Sequence, residues 1–223
     1  MRTQHPRPPA PLRTRTRQPA PPLHEGGNIL VLLAVTLSTL FALLAFGVDA
    51  SAVIAQKMQQ ENALNLARET IMAPTITLEA KNAEDPGALI ARTLVRTLRD
   101  KNYAGTIEVW FYEAGRPEVY LPENRRIFAY ELAISDTCEP AFSRIFGIRE
   151  IPVASCLVTS SSPYAEYKTW RPNVVRSGVF RLEAGKPAAY ITFTTASLAS
   201  MPQDIQKEIA SCIDDSEQRT HNR

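Results

Sequence analysis

The chain has 223 residues with 25 basic and 23 acidic side chains, room for one domain of ordinary size plus appendages. Five of the basic residues, Arg2, Arg7, Arg13, Arg15 and Arg17, lie within residues 1–24 beside seven of the seventeen prolines and no acidic residue, which leaves residues 25–223 with 20 basic against 23 acidic side chains. A slightly acidic body gives no ground for a nucleic-acid surface.

Residues 1–28 are too rich in Pro and polar side chains to bury a core, and they read as a disordered basic tail, partly polyproline-like. Ile29 to Val48 then runs ILVLLAVTLSTLFALLAFGV without a charge. Twenty helical residues reach about 30 Å, the thickness of a bilayer's hydrocarbon core. The polar side chains in the run are Thr36, Ser38 and Thr39, whose hydroxyls can bond back to helix carbonyls. Five arginines precede the run, Asp49 follows it, and the next basic residue is Lys57. The bias of positive charge toward the cytoplasm places the N-terminus inside and residues 49–223 outside. Ala50-Ser51-Ala52 also resembles a signal-peptide cleavage site, but the apolar run exceeds the usual length and the next stretch keeps helical register.

Asp49 to Met72 lacks Gly and Pro and extends the helix as a stalk over residues 49–73, stopping before Pro74. Val53, Ile54, Met58, Leu64, Ala67 and Ile71 form a loose apolar stripe, while Gln56, Lys57, Gln59, Gln60 and Glu61 make a polar face. The stripe suits either packing on its own domain or a helix-mediated oligomer. A second helix is expected from Pro86 to about Lys101, with Asp85 as N-cap and Ile90, Leu94 and Leu98 on one face. The pattern then alternates over Thr106–Tyr112 and again at Phe128, Tyr130, Leu132 and Ile134, and Val153–Val158 is a short apolar run. Val179–Leu182 and Ala189–Thr195 flank Glu183-Ala184-Gly185-Lys186-Pro187, a hairpin signal. Four or five mostly antiparallel strands follow from this. Pro202 opens a last helix with Ile205, Ile209 and Ile213 inward, and residues 214–223 are expected to fray. The expected fold is α+β: a membrane and stalk helix, then an exported domain over residues 74–213.

Catalytic constellations are scarce. The three histidines, His5, His24 and His221, fall in the tail, beside the membrane and at the C-terminus, so no catalytic triad or two-histidine metal site can be assembled in the exported domain. The nine glycines are scattered and build no phosphate-binding loop. The carboxylates lack metal-ligand spacing, although carboxylate-only chemistry needs no other signature. No catalytic, cofactor or metal site is therefore expected. Asp49-Ala50-Ser51 resembles the opening of an adhesion-type metal loop, but Val53 stands where a second Ser is required. Of Cys138, Cys156 and Cys212, the first two are nearest in sequence and are the candidate disulfide pair of an exported domain, the alternative being three half-buried thiols.

Two stretches together resemble a known family. Glu25-Gly26-Gly27-Asn28-Ile29 opens the apolar run and Gly47-Val48-Asp49 closes it. Pro140-Ala141-Phe142-Ser143-Arg144-Ile145-Phe146-Gly147-Ile148 precedes the strand Ile151–Val158. These resemble TadE/TadG-like proteins of the Flp (Tad) pilus-assembly system. The resemblance implies a non-enzymatic, single-pass protein of the bacterial inner membrane, with pilus-assembly or secretion proteins as partners. It also implies a rival reading as a minor pilin or pseudopilin, and a membrane-tethered carboxylate enzyme is a third. Pilin-like members are cut after a Gly that is followed, five residues on, by Glu. Those positions here are Val31 and Leu32, so the chain is expected to remain uncut.

Overall fold

The computed structural model describes residues 26–115, 125–165, 173–183, 185–187 and 189–221. The expected disordered tail, residues 1–25 of it, lies outside them, as do His5 and His24. The chain divides into two compact units, Met1–Leu44 and Ala45–Arg223.

In the first unit the described residues belong to helix α1, Gly26–Met72, which continues into the second unit. Thr36 Oγ1 donates to the Leu32 carbonyl at 3.0 Å, Ser38 Oγ to Ala34 at 2.8 Å and Thr39 Oγ1 to Val35 at 2.8 Å. Each hydroxyl of the apolar run is thus satisfied within its own helix, as an apolar solvent demands. The large side chains of the run, from Ile29 to Leu44, are solvent-facing in the isolated chain. Among the described residues α1 is the one helix long and apolar enough to cross a membrane, and it stands as a candidate span.

The second unit is α+β. After α1 come α2 (Pro74–Asn82), α3 (Pro86–Asp100), β1 (Gly105–Gly115), β2 (Arg125–Cys138), a 3-10 helix (Ser143–Phe146), β3 (Ile151–Ser160), β4 (Tyr164–Ala165), β5 (Val174–Leu182), β6 (Ala189–Thr195) and α4 (Gln203–His221). The strands form one antiparallel sheet in the order β3-β2-β1-β5-β6, with β4 added to β2. Period-two alternation divides its side chains between two cores. Ile107, Val109, Phe111, Phe128, Tyr130, Leu132 and Ile134 meet α1, α2 and α3 on one face. Tyr112, Ala114, Ile127 and Ala129 meet Ile205, Ile209 and Ile213 of α4 on the other.

The helix signals explain how α3 is placed. Asp85 Oδ1 accepts from the Ala88 amide at 3.0 Å, and Pro86 fills the first turn, where no amide is needed. Ile90, Leu94 and Leu98 are fully buried, a contribution of about 1.5–3 kcal/mol each by area burial. Asn102 takes a left-handed φ of 55° and the Tyr103 amide returns to Leu98 O at 3.1 Å, which closes the helix. The expected β5–β6 hairpin forms, with Gly185 at φ 73° in its turn.

Several expectations change. α1 ends at Met72, before Pro74, as expected, but a further helix that the pattern did not announce, α2, opens on Pro74, because Pro is tolerated in a first turn. The stalk stripe packs on its own domain through Leu64, Ala67 and Ile71, all in the core, while Ile54 and Met58 stay exposed. Gln60, assigned to the wet face, is fully buried. β2 runs on to Cys138 because Ser135, Asp136 and Thr137 pair with Ala154, Val153 and Pro152; the proline is tolerated since β3 is an edge strand. α4 continues to His221, past the expected fraying point at residue 214.

Candidate functional site

The second unit's most concentrated polar feature lies where α1 leaves its apolar run. Asp49 is buried, 3% exposed. Its Oδ1 accepts from the Ala141 amide at 2.8 Å and from Phe142 at 3.1 Å, and its Oδ2 from the Ser143 amide at 2.6 Å and from the Ser143 hydroxyl. These amides open the 3-10 helix Ser143–Phe146 and have no partner within it, so a carboxylate from another element caps them. The Ser143 hydroxyl holds the Asp49 carboxyl below its usual 3.8, and the Phe142, Ser143 and Ala141 amides act the same way against the opposing effect of burial. At the far end of the turn Gly147 takes φ 86°, which lets its amide reach Arg144 O at 3.1 Å and the Ile148 amide reach Ser143 O at 3.2 Å.

Two further turns along α1, glutamines continue the attachment. Gln56 Nε2 donates to Asp136 Oδ2 at 2.9 Å. Gln60 Nε2 donates to the Val153 carbonyl at 3.1 Å, and its Oε1 accepts from Ser155 Oγ at 3.0 Å. Val153 and Ser155 belong to edge strand β3, so Gln60 ties α1 to that strand. A cleft beside these contacts is lined by Gln56, Gln59, Gln60, Asn102, Tyr103 and Asp136. It presents amides, a phenol and a carboxylate already bonded to Gln56, groups suited to hydrogen bonding rather than to proton transfer.

A second polar cluster is internal. Arg126 Nε meets Glu113 Oε1 at 3.2 Å with both side chains nearly inaccessible. The Tyr164 hydroxyl donates to the same Glu113 oxygen, and Asn173 Oδ1 accepts from the Gly115 amide at 2.9 Å and from Arg126 Nη2 at 3.3 Å. This network joins β1, β2 and β4 at one end of the sheet. It is compensated charge in a core.

The expected Cys138–Cys156 disulfide is not formed; all three cysteines are free thiols. Cys138 faces Ile151 across the β2–β3 ladder, whereas Cys156 faces Ala133. Five residues of strand separate the two positions, about 16 Å, against the roughly 4.4–6.8 Å between Cα atoms that a disulfide needs. An odd offset also turns the two side chains to opposite faces of the sheet. Cys156 is an exposed residue, yet partial desolvation first and then the adjacent Glu131 carboxylate push its thiol up to about 12.

Among the described residues no group of three or more His, Cys, Asp or Glu side chains could hold a metal ion. The oxygens of Asp49, which opens the metal-loop-like triplet, are engaged by the 3-10 turn. Sequence reasoning placed Asp49 and Ser143 in separate motifs and did not join them. The available signal was a carboxylate at the exact end of an apolar run, where an unpartnered charge is costly. Nothing local marked Gln60, Glu113 or Arg126 for burial.

No family model matches the chain, and no curated protein or solved structure matches it.

Proposed function

We propose that this chain is a non-enzymatic, membrane-anchored component of a Flp/Tad-type pilus-assembly system. Its N-terminal tail lies in the cytoplasm, residues 29–48 cross the inner membrane, and the domain beyond is presented outside to pilin or secretion-machinery partners. One observation carries the reading. The two stretches on which the family resemblance rests, Gly47-Val48-Asp49 and Pro140–Ile148, are bonded to each other through Asp49 and the amides of Ala141, Phe142 and Ser143. A paired motif held by five donor–acceptor contacts, counting both Asp49 oxygens to Phe142 and the Ser143 hydroxyl, is one structural device. The resemblance therefore draws its two stretches from one bonded site.

The test is genetic and biochemical together. Deleting the gene in its source bacterium should abolish fibres sheared from the cell surface, and the wild-type chain, but not Asp49→Ala, should restore them. Undiminished fibres in the deletion strain would sink the pilus reading. N-terminal sequencing of the membrane form should begin at or near Met1. A form starting at Gly27 or Asn28 within sheared fibres would favour a minor pilin instead.

A further inference from the structure

We propose that the turn Phe142–Ile148 is a second membrane contact, its apolar side chains dipping into the outer interfacial layer of the bilayer beside the point where α1 emerges. This rests on the anchor reading above. Ile145 is 80% exposed and Phe146 77%, and Phe142 and Ile148 are exposed beside them. Four exposed large apolar side chains within seven residues are a concentration of the kind that marks a protein or membrane contact.

The occupant follows from where the patch is tied. Asp49 is the first residue beyond the uncharged run, and it holds the Ser143 amide at 2.6 Å. If residues 29–48 fill the hydrocarbon core, the 3-10 turn lies at the level of the bilayer surface. Phe46 and Val48 of α1, three residues and one residue before Asp49, are exposed too and belong to the same compact unit as the turn. The turn is suited to poor hydration. Asp49 accepts from the Phe142 and Ser143 amides, the Ile145, Gly147 and Ile148 amides bond within the turn, and Arg144 is paired with Glu139 at 2.6 Å. Phenylalanine and isoleucine on one short segment match interfacial insertion of about 5–10 Å. The Arg144 and Arg149 stems are long enough to leave their head groups among lipid phosphates.

The full chain, reconstituted in phosphatidylcholine–phosphatidylglycerol vesicles with brominated acyl chains, tests this. An added tryptophan is read as the difference from wild type in Phe146→Trp and Ile145→Trp; both positions are open enough to take the ring without repacking. Leu40→Trp reports the span and Leu198→Trp an exposed apolar position on the approach to α4. Bromines near the head group should quench the Phe146→Trp and Ile145→Trp signals at least twofold and leave Leu198→Trp unchanged, while deep bromines quench Leu40→Trp. Quenching of Leu40→Trp without either turn variant would overturn the second contact and leave the anchor standing. So would turn-variant emission that shifts only when envelope extract is added, since that identifies a protein partner. An unquenched Leu40→Trp would overturn the anchor and the turn contact with it.

Discussion

Asp49 and Ser143, 94 residues apart in sequence, are joined through both the amide and the hydroxyl of Ser143. One belongs to the helix that carries the apolar run, the other to a turn between two strands of the sheet. Neither position makes sense alone. A buried carboxylate at the end of an apolar run needs donors, and the opening amides of a 3-10 turn need an acceptor. Their pairing ties Asp49 to the turn within the second unit.

Replacing this carboxylate should have a pH-dependent effect. The folded-state pKa of Asp49 is lowered, so its contribution to stability is fully present above its ordinary 3.8 and is lost as pH falls through the folded value. The melting temperature of Asp49→Asn in detergent should lie several degrees below wild type at pH 6, with the gap closing below pH 3.8. A gap that is constant across that range would show that the charge is not what matters.

Gly147 should resist substitution for backbone reasons. A Cβ there meets nothing within 4 Å, yet the residue sits at φ 86°. Gly147→Ala is expected to cost about 1–2 kcal/mol, and Gly147→Asn less, because Asn tolerates the left-handed region. Equal losses for both in chemical denaturation would point to crowding instead.

The buried pair of Glu113 and Arg126 should be costly to break and cheaper to remove whole. Arg126→Met or Glu113→Gln alone is expected to lose about 3–5 kcal/mol, because each takes a charge partner away from a buried group. The double variant should lose less than the sum of the two, as coupled neighbours do. Additive losses in urea unfolding would contradict the coupling.

All three thiols should be countable. Alkylation under denaturing, non-reducing conditions followed by intact-mass measurement should add three groups per chain. In the native protein at pH 8 the Cys156 thiol, raised to about 12, should react more than tenfold slower than an ordinary cysteine of pKa about 8.5. Glu131→Gln removes a charge that raises that pKa and should speed the reaction. A crosslinked peptide holding Cys138 and Cys156 would require a different β2–β3 register.

Topology should follow the tail. A reporter active only outside the cytoplasm, fused after Arg223, should be active, and replacing Arg2, Arg7, Arg13, Arg15 and Arg17 with Glu should weaken or invert that signal. A C-terminus protected from protease added to spheroplasts would reverse the orientation.

The features legible in the sequence are those decided by neighbours in the chain. The uncharged run Ile29–Val48, the Asp85–Pro86 start of α3 and the Gly185 hairpin each depend on local hydropathy, capping or φ, and each is where the pattern put it. So are the inward isoleucines of α4, since a 3.6-residue period is itself a local property. What the residues could not announce are choices made between distant partners. Whether Gln60 faces water or the β3 edge, whether the Leu64, Ala67 and Ile71 stripe meets its own sheet or a second chain, and whether Cys138 and Cys156 can meet all depend on which strands lie opposite and in what register. Spacing along the chain suggested the disulfide; the ladder sets its two ends five residues apart and on opposite faces. The Asp49–Ser143 clasp is of the same kind, because a carboxylate and three amides separated by more than ninety residues become a site only when the sheet brings the turn back to the helix.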